Sequence, residues 1–458
     1  MCLISRLRVP HLHADLPWRD WMVLVLAVLV AYANAFAGDF QFDDYQVIVD
    51  NPSVHSWGAW LSTPGQGFLG IRPLLKLSYL LNWTSTWGAP GFHLVNFAIH
   101  LGTTGLVYQL VQMFLQEMRG HTWPQALPLW SALLFAVHPV NTEAITYVSG
   151  RSSSLMTLLY LAALVVYAST RVNGSWVKQH LLVPALLLLA LAVKETAVTL
   201  VLALWVWELS LGTPWRLVMQ RQWSCWMMLV AGALFFLLND NYLSHMRRSA
   251  EINSLAGNLA TQATAFSYLM RQWALPLWLN IDPDLPTRPG LSGSVVHLLS
   301  MTAALGLAWA LRRRRPWISF AALWTLAHLV PLYIFLPRLD VANDRQLYQA
   351  SWPLAMALLA ELSIWLTPAT FTRICVLLVT VLTGLTVARN HDYRSEIALW
   401  EATVKLSPNK ARAHNNLGHA YQLAGQLADA RREYTSALHL DPTHIRARHN
   451  LERLNSLE

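Results

Sequence analysis

Long apolar runs are the feature of this sequence that most restricts its fold. Runs of about 17 to 25 residues match the length that a bilayer core requires, and they recur as far as residue 388. The block 181–211 is divided at Lys194-Glu195, where two charged residues interrupt it. The sequence therefore predicts an all-α, polytopic membrane domain. Its eleven predicted spans lie near residues 21–37, 92–116, 128–148, 154–170, 181–195, 196–211, 223–239, 292–311, 317–336, 350–366 and 372–388.

The composition supports a membrane protein. Of the 458 residues, 55% are hydrophobic and 13% are charged, which is too apolar for a soluble domain of this length. Lys and Arg exceed Asp and Glu by 33 to 25, a net charge of +8. Because the basic residues stand in short loops between apolar runs, the excess indicates membrane topology and not nucleic-acid binding. The 3 cysteines form no readable disulfide framework or metal cluster.

The basic loops predict a topology. Positive charge favours the cytoplasmic side, and four successive basic loops fall on that side if the first span runs outward. A cleaved signal peptide over residues 21–37 is the alternative, but the many later spans favour a retained first helix. The odd number of spans also places the C-terminus outside. The four loops contain Arg119, Arg171 with Lys178, Arg216 with Arg221, and Arg312 to Arg315.

Acidic residues follow the first span directly. Asp39, Asp43 and Asp44 lie together where the chain is expected to reach water, and carboxylates close to lipid are costly unless they serve a function. A carboxylate can accept the proton of an attacking hydroxyl while a neighbouring acid raises its pKa or orients it. Solvated aspartates that cap a helix are the alternative. We identify Asp43 and Asp44 as candidate catalytic residues.

Three arginines are predicted on the same external face. An arginine fork can hold phosphate oxygens through two hydrogen bonds, so Arg72, Arg151 and Arg345 are candidates for binding a donor phosphate. Each arginine taken singly is more often an anchor at the membrane edge. Three of them on the face that carries the paired acids favour an anionic ligand.

Further polar residues on this face are candidates for positioning a donor or an acceptor. His138 and Glu143 flank Pro139, which by itself explains a helix break. Lys194 and Glu195 either form a structural ion pair or line a donor channel.

Two more patterns concern local structure. His93 and His100 share one helix face, and we interpret them as a packed or hydrogen-bonded pair and not as metal ligands. Apolar residues at helical spacing predict interfacial helices within the external loops at residues 255–273 and 74–80.

The composition changes after Arg389 to a polar, helical tail. Pro408 and Pro442 are 34 residues apart, and Asn416 and Asn450 share that offset. The segment matches the tetratricopeptide pattern of small residues where two helices cross. We therefore divide the chain into a membrane domain, 1–388, and a repeat domain, 389–458. Fewer than three full repeats are marginal alone, so the tail is expected to dock on the membrane domain or on a second copy of itself.

Several motifs resemble the transmembrane and tetratricopeptide-containing (TMTC) O-mannosyltransferases. Their order and spacing agree over roughly the first 200 residues, and the tail has the repeat type of that family. The motifs are Phe42-Asp43-Asp44-Tyr45-x-x-Ile48-Val49-x-Asn51, Arg72-Pro73-Leu74, Gly91-Phe92-His93-Leu94-Val95-Asn96-x-x-x-His100, Leu134 to Ala144 with Ser149-Gly150-Arg151, and Lys194-Glu195.

The resemblance implies a GT-C glycosyltransferase, which takes a sugar from a polyprenyl phosphate and passes it to an acceptor on the non-cytoplasmic side. It implies a catalytic acid at Asp43 or Asp44, and an Arg-x-x-Tyr element that Arg345 and Tyr348 match. The sequence departs from the family in having Asp344 before that arginine, and serines where an acid often follows Gly-Arg. The short tail is typical of a bacterial relative, in which undecaprenyl phosphate would replace dolichyl phosphate.

The expected activity is transfer of a hexose, with mannose as the first candidate, to a Ser or Thr of an exported protein, with inversion. The expected partners are the lipid-linked sugar, the membrane and an exported protein that the tail presents, with no nucleic acid. The superfamily allows a divalent metal, but we predict no cofactor or metal because no ligand cluster is readable beyond the acids. The expected location is the bacterial inner membrane, with site and tail in the periplasm. The alternatives are a non-enzymatic envelope scaffold and a transferase with a glycan acceptor.

Overall fold

A computed structural model describes residues 16–63, 67, 70–118, 120–237, 254–286, 290–330, 334 and 340–456. Every regular element within these residues is helical, which confirms the all-α fold. Arg119 and residues 238–253, which include the start of the long loop that the sequence predicted to be external, lie outside the described residues.

The membrane domain contains a helix in each of the eleven predicted spans. Other helices are short or lie in the loops between the spans. In chain order the helices are α1 (Trp18–Tyr32), α2 (Trp57–Ser62), α3 (Pro73–Thr84), α4 (Gly88–Glu117), α5 (Leu127–Ala136), α6 (Thr142–Ile145), α7 (Arg151–Asn173), α8 (Val183–Leu191), α9 (Leu200–Ser210), α10 (Trp215–Leu237), α11 (Leu255–Ala274), α12 (Val295–Leu311), α13 (Pro316–Leu329), α14 (Leu347–Ala350), α15 (Trp352–Trp365) and α16 (Pro368–Asp392).

Several of these helices are suited to a bilayer. Besides five long helical stretches, three apolar helices are shorter, at Leu127–Ala136, Lys178–Leu191 and Trp352–Trp365. The fold is therefore that of a multi-pass helical membrane protein, and the number of eleven spans stays a prediction. Five helical stretches are long and apolar enough to cross a membrane, namely Trp18–Ala37, Gly88–Glu117, Val148–Arg171, Ser292–Leu311 and Pro368–Asp392.

Two predicted boundaries can be compared with the structure. The predicted span near residues 128–148 ends early, since α5 stops at Ala136 and the chain turns at His138-Pro139, where the sequence predicted a helix break and proline offers no N–H to continue a helix. The division at Lys194-Glu195 is confirmed, since α8 ends before it and Lys194 has an extended backbone with a φ of -157°.

The ends of four helices meet on the side that the basic loops predicted to be cytoplasmic. Glu208 on α9 is fully buried and pairs with Arg171 on α7 and with Arg221 on α10, the latter at 2.9 Å. Arg171 also lies 3.4 Å from Glu117 at the end of α4. A buried carboxylate with two cationic partners ties these helix ends together.

Both predicted loop helices are present. The helix α11 lies over Leu255–Ala274 and packs on α12, with Phe266 and Leu269 in an apolar cluster that also contains Leu326 and Leu347. The helix α3 contains the predicted residues 74–80.

The tail begins just beyond the predicted boundary, because α16 continues to Asp392. Its four helices are α17 (Glu396–Leu406), α18 (Ala411–Leu423), α19 (Leu427–Leu440) and α20 (Ile445–Asn455). Gly418 lies where α18 crosses α19, and a Cβ at this position would be 2.8 Å from the ring of Tyr434. The small residues of the repeat pattern therefore permit the close crossing that the sequence predicted.

The tail docks on the membrane domain, as expected. Ser407 between α17 and α18 accepts a hydrogen bond from the Asn280 amide at 2.8 Å and donates one to the carbonyl of Asp282 at 3.1 Å. The ring of Trp400 on α17 lies edge-on to Phe42 of the loop after α1, with 4.9 Å between the ring centroids. These contacts bring the tail beside the acidic loop.

A Gly418→Val substitution should loosen the repeat. The added side chain has no room against Tyr434, and overpacking of this kind costs about 1–3 kcal/mol. We expect faster amide hydrogen exchange across residues 411–440 of the variant. The matched control is Gly384→Val, since a Cβ at Gly384 meets no atom within 4 Å. Equal exchange of the tail in the two variants would contradict the crossing described here.

Candidate active site

A cavity lies between the loop that follows α1, the turn after α6, two later loop segments and the tail. It contains about 290 Å³ of space not filled by protein atoms, part of it open to solvent. Two predicted site residues that are distant in sequence, Asp43 and Arg345, meet there. The lining residues are Phe42, Asp43, Tyr147, Ile281, Asp282, Asp340, Arg345, Trp400 and Arg412.

The backbone before Asp43 directs this residue to the cavity. Phe42 has a φ of 46°, which is uncommon for a residue other than glycine and costs free energy unless the surroundings enforce it. Its packing on Trp400 and the hydrogen bond from the Asp43 N–H to the Tyr147 hydroxyl, at 2.9 Å, hold this conformation.

The electrostatics of Asp43 suit a proton acceptor. Burial raises the pKa of its half-buried carboxyl above the ordinary value, and the charge of Asp340 adds to the rise. The charges of Arg345 and Arg412 oppose it. A carboxylate with a raised pKa is a stronger base once it is ionised.

Asp44 has a different environment. Its side chain is 1% exposed, and it accepts hydrogen bonds from the Gln41 N–H at 3.0 Å, from the Ser149 N–H at 2.7 Å and from the Ser149 hydroxyl. Burial raises the pKa of Asp44 to about 7, although the three donors act against this. Asp44 does not line the cavity; it ties the loop after α1 to the turn before α7.

Arg345 is fixed by Glu143. The Glu143 side chain is 1% exposed, lies 3.3 Å from the Arg345 Nε and accepts the Arg345 backbone N–H at 3.0 Å. Gly150 makes room for this arrangement, because a Cβ there would lie 2.1 Å from the Glu143 carbonyl oxygen. Glu143, which does not itself line the cavity, thus holds the Arg345 guanidinium in the cavity wall.

Asp344, which precedes the arginine, does not line the cavity. Its carboxylate accepts the Asn280 N–H at 3.1 Å and lies 3.9 Å from the Arg389 guanidinium. Burial and the nearby charge of Glu143 raise the pKa of Asp344 to about 8. The residue links the segment before α14 to α16 and to the loop after α11.

Arg151 is not at the cavity. It is fully buried and donates to the Asn96 side chain at 2.6 Å, to the Phe92 carbonyl at 3.0 Å and to the Ser78 carbonyl at 3.1 Å. Because the donors of the guanidinium already serve protein acceptors, its predicted role in phosphate binding does not fit this geometry.

Arg72 and Glu195 form an ion pair outside the cavity lining. Their closest nitrogen and oxygen atoms are 2.7 Å apart, and a second pair of atoms is 3.1 Å apart. Both side chains are about one-third or more exposed. The structure therefore separates Arg72 from Asp43 and joins it to the predicted Lys194-Glu195 segment.

The other predicted positioning residues make packing contacts. The His138 ring lies 3.1 Å from the carbonyl oxygen of Trp273 and stacks on its ring, whereas Lys194 donates to the Ser153 hydroxyl at 2.7 Å. The Tyr348 hydroxyl lies 2.8 Å from His100 Nδ1 in the core. None of these three residues lines the cavity described here.

The histidine pair is structural, as predicted. His93 lies 3.1 Å from the carbonyl oxygen of Gly38, and His100 lies 2.9 Å from the carbonyl oxygen of Ala136. Within the described ranges no group of three His, Cys, Asp or Glu side chains could hold a metal ion.

The structure adds cavity residues that sequence reasoning did not select. Tyr147 lies between the family motifs Leu134 to Ala144 and Ser149-Gly150-Arg151, and Asp282 belongs to the turn cluster Asp282-Pro283-Asp284. Both residues therefore had a local signal in the sequence. Trp400 and Arg412 belong to the repeat tail, and no local signal connected them to the acids. The arrangement as a whole places carboxyl groups, two guanidinium groups and aromatic side chains around one opening.

Comparisons with known proteins support the resemblance. Residues 411–444 match the tetratricopeptide repeat family. Over 93% of its length the chain is 26% identical to a protein O-mannosyl-transferase of Caenorhabditis elegans, of which it covers 63%. Over 96% of its length it is 24% identical to protein O-mannosyl-transferase TMTC3 of Mus musculus, of which it covers 53%. It is 33% identical to protein O-mannosyl-transferase TMTC4 of Homo sapiens across 32% of this chain and 23% of that protein.

These matches confirm the resemblance to the TMTC proteins. The chain spans 53% to 63% of the length of the first two relatives. No solved structure matches the chain.

An Asp44→Ala substitution should destabilise the loop after α1. It leaves the buried donors of Gln41 and Ser149 without an acceptor, which costs about 1–3 kcal/mol. We expect a lower midpoint of thermal unfolding for the purified protein in detergent. Asp39→Ala is the control, because Asp39 is exposed and accepts only a local bond from Phe40. Equal midpoints for the two variants would contradict the role given to Asp44.

Proposed function

We propose that this relative of the TMTC proteins is a membrane glycosyltransferase. In this proposal it transfers a hexose, with mannose as the first candidate, from a polyprenyl-phosphate donor to a serine or threonine hydroxyl of an exported protein. The observation that carries the proposal is that Asp43 and Arg345 line one partly open cavity. The names of the relatives support the choice of mannose and of a protein acceptor.

Asp43 is the proposed general base. Its carboxylate takes the proton of the acceptor hydroxyl as the hydroxyl oxygen attacks the anomeric carbon of the donor. The bond between that carbon and the phosphate oxygen breaks, and both electrons leave with the polyprenyl phosphate. Direct attack from the opposite side inverts the configuration at the anomeric carbon.

Arg345 is the proposed partner of the leaving phosphate. A guanidinium beside the phosphate stabilises the negative charge that develops as the bond breaks. Glu143 keeps this guanidinium in place through its contacts with the Nε and the backbone N–H. We assign no metal and no cofactor to the site.

The membrane supplies the donor in this proposal. We place the polyprenyl chain along α11, whose apolar residues predict an interfacial position. The cavity and the tail face the periplasm, and the carrier is undecaprenyl phosphate if the protein is bacterial. The tail presents the exported protein, since the match to a tetratricopeptide repeat supports a role in binding a polypeptide.

The second candidate is an envelope scaffold that uses the tail to recruit partners. The departure from the family pattern after Gly150-Arg151, where Ser152-Ser153-Ser154 stand in place of an acid, favours it. A transferase with a glycan acceptor is the third candidate. Sugar transfer by the purified protein separates the scaffold from the enzymes, and the identity of the product separates the two enzymes.

Asp43→Asn should abolish most of the transfer without unfolding the protein. The amide cannot accept the proton, and loss of a general base costs about 10²–10⁴-fold in rate. The measurement is sugar transfer from a synthetic polyprenyl-phosphate mannose to a threonine-containing peptide. Asp39→Asn serves as the control for a charge change in the same loop. Wild-type turnover by Asp43→Asn would sink the assignment, and loss of turnover in Asp44→Asn alone would assign the base to the other acid.

The pH dependence of transfer should report the ionisation of Asp43. Because the base acts only when it is deprotonated, kcat/KM should rise with pH and level off above its pKa. Burial raises the pKa of Asp43, so the midpoint should lie above the ordinary value of about 3.9. An activity that stays constant as the pH falls to about 4 would contradict this role.

A further inference from the structure

The repeat tail contributes two residues to the wall of the cavity. Trp400 of α17 and Arg412 of α18 line it together with Asp43 and Arg345. A module that only recruits a partner would have no reason to form part of the site. The contacts of Arg412 indicate what the tail does there.

Arg412 connects two acids of the membrane domain. Its Nε donates to Asp282 at 2.7 Å, its Nη2 also contacts Asp282, and the same Nη2 lies 2.5 Å from Asp340. The Asp282 side chain is 5% exposed, whereas that of Asp340 is 42% exposed. The guanidinium thus holds two separate loop segments against the cavity.

Docking of the tail has other support. Lys410 donates to the Pro283 carbonyl at 2.7 Å and also pairs with Asp282. Ser407 bonds with Asn280 at 2.8 Å. The contact between Arg412 and Asp340 is therefore additional to docking, and it lies at the cavity.

We propose that Arg412 is a positioning residue of the transfer site, which fixes Asp340 and Asp282 beside Asp43 and makes the repeat tail part of the catalytic unit. This inference rests on the proposed function. It adds that the tail is needed for the chemical step, even with a small acceptor that requires no recruitment.

The charges around Asp43 support this role. The groups that act on Asp43 are Arg345, Asp340, Tyr147 and Arg412, with Asp44 next to it in the chain and Asp282 in the same wall. Burial alone would raise the pKa of Asp340, but Arg412, Arg345 and Lys410 hold it below its usual range. An ionised Asp340 next to a proton-accepting Asp43 is a pair of acids whose environments separate their pKa values.

Removal of Arg412 and removal of the Asp340 charge should shift the pKa of Asp43 in opposite directions. Without Arg412, Asp43 loses a nearby positive charge, so its pKa should rise and the midpoint of the transfer profile should move to higher pH. Without the Asp340 charge, Asp43 loses a nearby negative charge, so the midpoint should move to lower pH. A purely structural loss would not produce shifts of opposite sign.

The experiment compares Arg412→Gln, Asp340→Asn and Arg432→Gln in the full-length protein. Arg432 is the matched control, because it is 61% exposed on α19 and pairs locally with Asp429. Transfer of mannose from polyprenyl-phosphate mannose to a short threonine peptide is measured against pH. We expect Arg412→Gln to lower kcat about tenfold or more at nearly unchanged KM for the peptide. The midpoints should shift by about half a pH unit or more in opposite directions for the two site variants.

Limited proteolysis of the tail reports whether it stays docked. If Arg412→Gln releases the tail, the test rests on Asp340→Asn, in which the contacts of Asp282 with Lys410 and Arg412 remain. In Asp340→Asn the midpoint of the pH profile should still move to lower pH. Profiles of Arg412→Gln and Asp340→Asn that match Arg432→Gln, while the wild type transfers sugar, would overturn this inference alone. A wild type that transfers no sugar would reject the proposed function and this inference together.

Discussion

The ion pair between Glu143 and Arg345 is the contact on which the candidate site depends. It joins α6 to the segment before α14, and its carboxylate is almost fully buried. Removal of one partner from a buried pair costs about 3–5 kcal/mol, because the other charge is left uncompensated. The pair therefore has two roles. It stabilises the junction of two chain segments, and it holds the Arg345 guanidinium in the cavity that Asp43 also lines.

The acidic loop and the tail complete this arrangement from opposite sides. Asp44 anchors the loop through the Ser149 turn, so that its neighbour Asp43 is free to face the cavity. On the other side, Ser407 and Arg412 bind the segment around Asp282. The wall of the candidate site thus consists of short loop segments of the membrane domain together with Trp400 of α17 and Arg412 of α18, and the long helices provide the rigid frame that holds the loops.

The helices were accessible to sequence reasoning because apolar run length and repeat spacing are local signals. The break at Lys194-Glu195 and the crossing at Gly418 follow from such signals. The choice among the arginines was not accessible. Arg151 and Arg345 look equivalent in the sequence, but Arg151 donates to backbone and amide oxygens of α3 and α4, whereas a carboxylate from another segment holds Arg345. Such partners are brought together by tertiary packing, which spacing along the chain does not specify.

The place of Arg412 in the cavity wall was inaccessible for the same reason. Its partners Asp282 and Asp340 belong to the membrane domain and are distant from it in the sequence. The repeat pattern predicted the helices of the tail and their small crossing residues. It contained no information on which outer residues of the tail would face the membrane domain.

The most direct test of the central claim is an experimental structure of the full-length protein with a bound, non-hydrolysable analogue of polyprenyl-phosphate mannose. The account predicts that the phosphate contacts Arg345 and that the anomeric carbon faces Asp43 across the space for one acceptor hydroxyl. A phosphate bound at the Arg72–Glu195 pair instead, with the sugar remote from Asp43, would contradict it.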